Sequence, residues 1–126
     1  MKLRLIAAAA LALCAWGARY FLTGMDAQEV VRRLSGMRIA VTLYKIEHKK
    51  PPVSFGETVR AGNLEAAPRL KLPRHFGTDR VRDVPSQLFS DSGGWAYVND
   101  PRSPAFGLVY IDCVHKDEKG RYWSEF

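Results

Sequence analysis

The apolar residues divide the chain into three zones: a leading stretch apolar all round, a middle stretch apolar on one side, and a tail in which large and small residues alternate. From Leu5 to Ala18 no residue is charged and Ala and Leu dominate, with Lys2 and Arg4 just before the run and Arg19 just after it. A basic start followed by an apolar run is the order of an export signal. The uncharged run alone is shorter than the roughly 20 apolar residues of a spanning helix, and Tyr20, Phe21 and Leu22 bring it close to that length. Arg19 then has to snorkel toward the interface. Residues 1–24 are therefore expected to be an anchor or a signal segment. As an anchor, the segment keeps its N-terminus in the cytoplasm through Lys2 and Arg4. As a signal, it offers small residues at Ala15 and Gly17 for cleavage after Gly17. Leu11-Ala12-Leu13-Cys14 loosely resembles a lipobox, with Leu13 where a small residue belongs.

From Met25 the period changes. Val30, Leu34, Met37, Val41, Tyr44 and His48 recur every three or four positions and trace one face of an α-helix, and Ile39, Leu43 and Ile46 are expected to widen it. Asp26 and Glu29 lie early and Lys49-Lys50 late, as the helix dipole favours. Pro51-Pro52 ends the helix, because proline lacks the N–H and disfavours helical geometry in Lys50. The pattern predicts a helix over 25–50 whose packing face is Val30, Leu34, Met37, Val41 and Tyr44. Thr23 and Gly24 alone separate it from the apolar segment, so one long rod is expected. His48, at the helix end, reads as a histidine close to the final carbonyls.

Residues 51–92 are expected to form a long surface loop, since Pro68, Pro73 and Pro85 forbid extended regular structure. Within it, residues 56–59 and 64–67 suit a helical turn each, and Leu70-Lys71-Leu72 suits a short edge strand. A loop of this length is expected to serve function or face a partner. The tail predicts three antiparallel strands over 93–126. One begins at Trp95-Ala96-Tyr97-Val98 after Gly93-Gly94, one runs from Gly107 to His115, and one runs from Arg121 to Phe126. Trp95, Tyr97, Tyr110 and Trp123 are the expected sheet aromatics. A helix laid on such a sheet gives an α+β fold, with a globular unit over 25–126.

Composition narrows the function. Half of the +6 formal charge sits in Lys2, Arg4 and Arg19, and the remainder is dispersed, so no nucleic acid is expected as a partner. Cys14 lies in the apolar segment, so a bridge to Cys113 is not expected. No phosphate loop, HExxH, CxxC or GxSxG motif occurs, and the chain is read as non-enzymatic. Cys113 and His115 share one side of a predicted strand, but no third member of a thiol–imidazole site stands out. Asp91, Asp100, Asp112 and Asp117 read as turn formers. Asp91, Asn99 and Asp100 could converge on Ca²⁺, without EF-hand spacing. No cofactor is expected.

The order of these features resembles the type IV pilin and type II secretion pseudopilin superfamily. The resemblance is carried by Leu43-Tyr44-Lys45 running to Pro51-Pro52, by Leu70-Lys71-Leu72-Pro73, and by Asp91-Ser92-Gly93-Gly94-Trp95-Ala96-Tyr97. The segment from Gly107 to Cys113 and the tail Asp117-Glu118-Lys119-Gly120-Arg121-Tyr122-Trp123-Ser124 complete it. It implies a helix leading through a variable loop to a sheet. It also implies assembly with pilin-like subunits or with secretion or pilus machinery. The chain departs from the family at its start. There a basic leader ending in Gly and the run Phe-Thr-Leu-x-Glu are usual, whereas here the apolar run begins at Leu5, and Gly24 to Glu29 follows it. The resemblance thus points to an accessory, minor or diverged member. It would be anchored in the inner membrane through residues 5–22, with its domain in the periplasm, at the cell surface or in a filament. The alternative is a periplasmic binding or interaction module released by signal peptidase.

Overall fold

The computed structural model describes residues 1–126. Helix α1, Lys2–Leu22, buries none of its residues. At about 1.5 Å per residue it is about 31 Å long, close to the thickness of a bilayer's hydrocarbon core. Instead of continuing as one rod, the helix stops at Thr23, which is extended and turns its hydroxyl back to the Arg19 carbonyl at 2.8 Å. Gly24 follows. A Cβ there would lie 2.4 Å from Pro73 Cδ, so the linker passes close to the 70–78 loop only because this residue is glycine.

Helix α2, Ala27–His48, starts where the Asp26 carboxylate accepts the Glu29 N–H at 2.9 Å, an N-cap that satisfies an otherwise orphan donor. It ends with Lys49 in the left-handed region (φ 63) before the two prolines. The predicted face is the buried one: Val30, Leu34, Met37, Val41 and Tyr44 all lie in the core. Ile39, Leu43 and Ile46 do not widen it. They are 60%, 43% and 61% exposed and form a second apolar stripe facing outward. His48 is exposed, stacks on Tyr44 and sets its Nδ1 3.1 Å from the Tyr44 carbonyl, as the helix-end reading expects.

The 51–92 segment is more structured than its prolines suggest. Residues 56–59 fall in helix α3, Gly56–Arg60, whereas 64–67 form no helix. Leu70 bridges Thr78 through two backbone hydrogen bonds (2.7 and 2.9 Å), and Leu70 and Leu72 are fully buried. Strand β1, Val81–Val84, was invisible in the pattern because Arg82 and Asp83 occupy its centre. Asp83 serves the packing of α3: its carboxylate accepts the Phe55 N–H at 2.9 Å.

The sheet is mixed rather than an antiparallel meander. Its order is β1-β2-β3, with β1 parallel to β2 (Trp95–Val98) and β2 antiparallel to β3 (Val109–Ile111). Trp95, Tyr97, Val109 and Ile111 face α2 in the main core, while Val84, Ala96, Val98 and Tyr110 form a second cluster on the other side. The 85–90 loop covers that side, with Leu88 N–H on the Tyr110 hydroxyl at 3.1 Å and Phe89 edge-on to the Tyr110 ring. Tyr110 therefore lies on the opposite face from Trp95 and Tyr97. The third expected strand, 121–126, is absent. Lys116 and Tyr122 make a single bridge, and Trp123–Glu125 is a 3₁₀ turn. Asp117 takes the Lys119 and Arg121 N–H groups and the Arg121 guanidinium, which closes the loop. Trp123 thereby drops into the main core as a buried plug rather than a strand residue.

Candidate metal centre

Four potential ligand side chains converge at the end of the sheet nearest α1: His75, Asp91, Cys113 and His115. His75 Nε2 and His115 Nδ1 are 3.2 Å apart. Cys113 Sγ lies 3.4 Å from the first and 3.5 Å from the second. Asp91 Oδ1 lies 3.2 Å from His75 Nε2 and 3.4 Å from His115 Nδ1.

Each ligand has a local reason to be there. His75 is carried by the loop that Leu70 and Thr78 clasp, and its N–H donates to the Leu72 carbonyl. Gly93 (φ 72) lets the backbone pass over the imidazole. A Cβ at that position would sit 2.2 Å from His75 Cγ. Asp91 is itself left-handed (φ 56), and the buried Asp112 carboxylate holds its loop by accepting the Ser90, Asp91 and Ser92 N–H groups and both serine hydroxyls. Gly93 N–H on the Asp112 carbonyl (2.8 Å) and Asp112 N–H on the Gly94 carbonyl (2.9 Å) tie this loop to the tail. Cys113 and His115 follow β3 at the spacing that keeps both on one side.

The electrostatics suit a cation. Burial pushes the Cys113 thiol up to about 11, so in the metal-free chain it stays protonated at neutral pH and is a poor nucleophile. Burial also holds His75 below the ordinary imidazole value, against the pull of the Asp91 carboxylate, leaving a neutral ring with a lone pair to give. A metal ion would reverse the situation at sulfur by taking the thiolate. Cys113 is fully buried and His75 nearly so, while about a third of the Asp91 and His115 side chains meets solvent. His115 also borders an open cleft of about 1420 Å³ between the 22–28 linker and the 115–121 loop.

The four residues come from three segments, and only part of the set was legible beforehand. Cys113 and His115, read from the sequence as same-side neighbours and not as a site, lie together, and His75, a residue without a local motif, joins them. Asp91 joins this group rather than Asn99 and Asp100. Those two follow the far end of β2, where Asp100 caps its own turn by accepting the Arg102 N–H at 2.9 Å. Asp91, Asn99 and Asp100, which could have converged on Ca²⁺, therefore do not come together. Cys14 is exposed on α1 and Cys113 buried in the domain, and both are free.

Comparison of the chain with protein-family models, curated proteins and solved structures finds no match.

Proposed function

We propose that the chain is a non-enzymatic, pilin-like or pseudopilin-like envelope protein that assembles with other such subunits, or with secretion or pilus machinery, through its N-terminal helix. The observation that carries this reading is α1: 21 residues, with mean hydropathy 1.7 over an 18-residue stretch and none of them buried by the protein itself. A soluble monomer would leave Leu3, Leu5, Ile6, Leu11, Leu13 and Trp16 in water, an apolar surface far larger than isolated exposed residues require. Lipid or neighbouring helices are the natural cover. The outward stripe of Ile39, Leu43 and Ile46 on α2 adds an apolar strip on the domain itself.

The junction fixes how the end of α1 meets the domain. Met25 N–H donates to the Lys71 carbonyl (2.8 Å), Arg74 N–H to the Phe21 carbonyl (2.7 Å), and Lys71 Nζ to the Thr23 carbonyl (2.6 Å). Phe76 packs on Tyr20 and Phe21. These contacts are made by residues 20–25, which stay with the domain whether or not the chain is cut after Gly17. In an inner-membrane arrangement α1 spans the bilayer and the domain stands in the periplasm or at the cell surface.

One observation favours the released module: α1 supplies nothing to either core cluster, so the domain's packing does not depend on it. Two measurements separate the readings. The anchored reading expects membranes to keep the protein through high-salt and alkaline washing, and expects Cys14 to cross-link α1 to neighbouring helices. A mature protein that begins at Ala18 and partitions into the soluble fraction would refute it.

A further inference from the structure

We propose that His75 Nε2, Asp91 Oδ1, Cys113 Sγ and His115 Nδ1 bind a single Zn²⁺ that pins the base of the domain where α1 enters it. The first support is metric. Tetrahedral zinc, with bonds near 2.0–2.1 Å to N and O and near 2.3 Å to S, sets N···N and N···O edges of about 3.3–3.4 Å and S···N edges of about 3.5–3.6 Å. The N···N edge here is 3.2 Å, the N···O edges are 3.2 and 3.4 Å, and the S···N edges are 3.4 and 3.5 Å. Five of the six edges of one tetrahedron are thus in place within about 0.2 Å of the expected values.

The second support is proton accounting. Two imidazole nitrogens and a thiol bring at most one proton each, too few for every contact among four inward-facing atoms. One cation takes a lone pair from all four at once. On binding, the Cys113 S–H proton passes to solvent as the S–Zn bond forms. The imidazoles bind neutral and the carboxylate binds ionised, so no redox partner is needed.

The donor set selects the ion. Two imidazoles with a thiolate suit zinc, whereas Ca²⁺ and Mg²⁺ seek oxygen. Four protein ligands close the coordination sphere, which marks a structural ion rather than a catalytic one. An outer shell is present as well. His115 N–H points at Cys113 Sγ (3.4 Å) and Val114 N–H at Asp91 Oδ1 (3.1 Å).

The location gives the ion its role. His75 lies between Arg74, whose N–H bonds the Phe21 carbonyl, and Gly77, whose N–H bonds the Tyr20 hydroxyl. Zinc therefore fastens the loop that grips the end of α1 to the 91–94 loop and to the tail after β3. This holds whether or not the chain assembles with others.

The test uses the full chain in detergent, reduced and stripped with a chelator, then supplied with Zn²⁺ alone or Co²⁺ alone. After desalting, one equivalent of zinc should remain. Cobalt should give tetrahedral visible bands and a thiolate-to-cobalt charge-transfer band. Outer-shell losses alone weaken metal binding about 10–100-fold, so Cys113→Ala and His115→Ala should each weaken zinc binding more than about 100-fold. His48→Ala, distant from the site, should leave binding unchanged. Zinc should also slow amide exchange at Arg74 and Gly77. Substoichiometric zinc, a cobalt spectrum without the thiolate band, or ligand variants that bind like the wild type would overturn the site. Unchanged exchange at Arg74 and Gly77 would overturn its role at the collar. Should Cys113→Ala fail to fold, His115→Ala at its half-buried position and the wild-type cobalt spectrum still decide.

Discussion

Asp112 is the most connected polar side chain in the protein, and replacing it tests how the candidate metal site is built. Its Oδ1 accepts the Ser90 N–H at 2.7 Å and the Asp91 N–H at 3.2 Å. Its Oδ2 accepts the Ser90 and Ser92 hydroxyls at 2.7 and 2.6 Å and the Ser92 N–H at 3.2 Å, with an Arg82 guanidinium nitrogen at 3.4 Å. Asparagine keeps the shape but must aim its amide at one of these groups of donors. The serine hydroxyls can rotate to accept from it, whereas backbone N–H groups and Arg82 cannot. The better orientation therefore leaves the oxygen at Oδ1 and opposes Ser92 N–H and Arg82 with an amide. Hydrogen bonds to charged groups contribute about 1.5–3 kcal/mol each, but five donors sharing one buried acceptor do not add. We expect Asp112→Asn to destabilise the domain by about 2–4 kcal/mol, and Asp112→Ala, which strands every donor, by about 3–5 kcal/mol.

For a unit of this size, 1 kcal/mol moves the melting temperature by about 4–8 °C, so Asp112→Asn should melt roughly 8–30 °C lower. The assay is thermal unfolding of the full chain in detergent, followed by near-UV circular dichroism, which reports the buried Trp95, Tyr97 and Trp123. Metal-stripped and zinc-supplied samples belong in the same experiment, because loosening the 90–92 loop should also weaken zinc binding through Asp91. Asp100→Asn, in the turn after β2, is the control and should shift stability by less than about 0.5 kcal/mol. A Tm for Asp112→Asn within about 4 °C of wild type would refute the view that this carboxylate organises the loop.

Other substitutions test separate parts of the structure. Leu34→Ala, in the α2–sheet core, should destabilise by about 2–5 kcal/mol in a denaturant titration, whereas Leu43→Ala on the outward stripe should have little effect on the isolated subunit. Gly93→Ala combines a left-handed backbone costing about 1–2 kcal/mol with a Cβ driven into His75. It should lower both stability and zinc affinity, the latter read by competition with a chromogenic chelator. Glu29 is held below the ordinary carboxylate range by hydrogen bonds from Arg32 and then Arg33. Its folded value being depressed, its contribution is complete above the ordinary glutamate value and disappears as pH falls through the folded one. The stability gap between wild type and Glu29→Gln should thus be present at neutral pH and close in strong acid, as measured by Tm against pH.

The helices were legible and the sheet only partly so, for a common physical reason. The packing face of α2 follows from a period that each of its residues reports locally, and the early acids Asp26 and Glu29 and the stop at Pro51 are equally local. A strand's place in a sheet is set by what lies beside it. Val81–Val84 gives no alternation, because Asp83 is spent on the Phe55 N–H and Arg82 reaches toward Asp112. Arg121 to Phe126 alternates well, yet Asp117 curls the preceding loop so that Trp123 plugs the core instead. Thr23 and Gly24 looked too short to break a helix, and the break comes from Met25 N–H pairing with the Lys71 carbonyl. Ile39, Leu43 and Ile46 show the converse limit. Hydrophobic spacing places them on the helix but does not say whether their cover is the protein's own sheet.

The candidate metal site follows the same division. Cys113 and His115 were visible as neighbours on one side of a strand without a third member, and Asp91 as a turn former that could meet Asn99 and Asp100 around Ca²⁺, so no two of the three segments were read together. His75 had no visible partner, because the 40 positions that separate it from His115 close up only through the Leu70–Thr78 clasp and the Asp112 loop. Those two devices serve α1 as well: the clasp continues into Lys71, Leu72 and Arg74, which hold the linker, and the loop brings Gly93 over the imidazole. A chain that needed only a sheet and a packed helix could dispense with both. Their convergence at the one end of the domain that meets an unburied apolar helix is what a joint requires when force or assembly acts on that helix. Zinc at this point would make the joint stiff without lengthening the core.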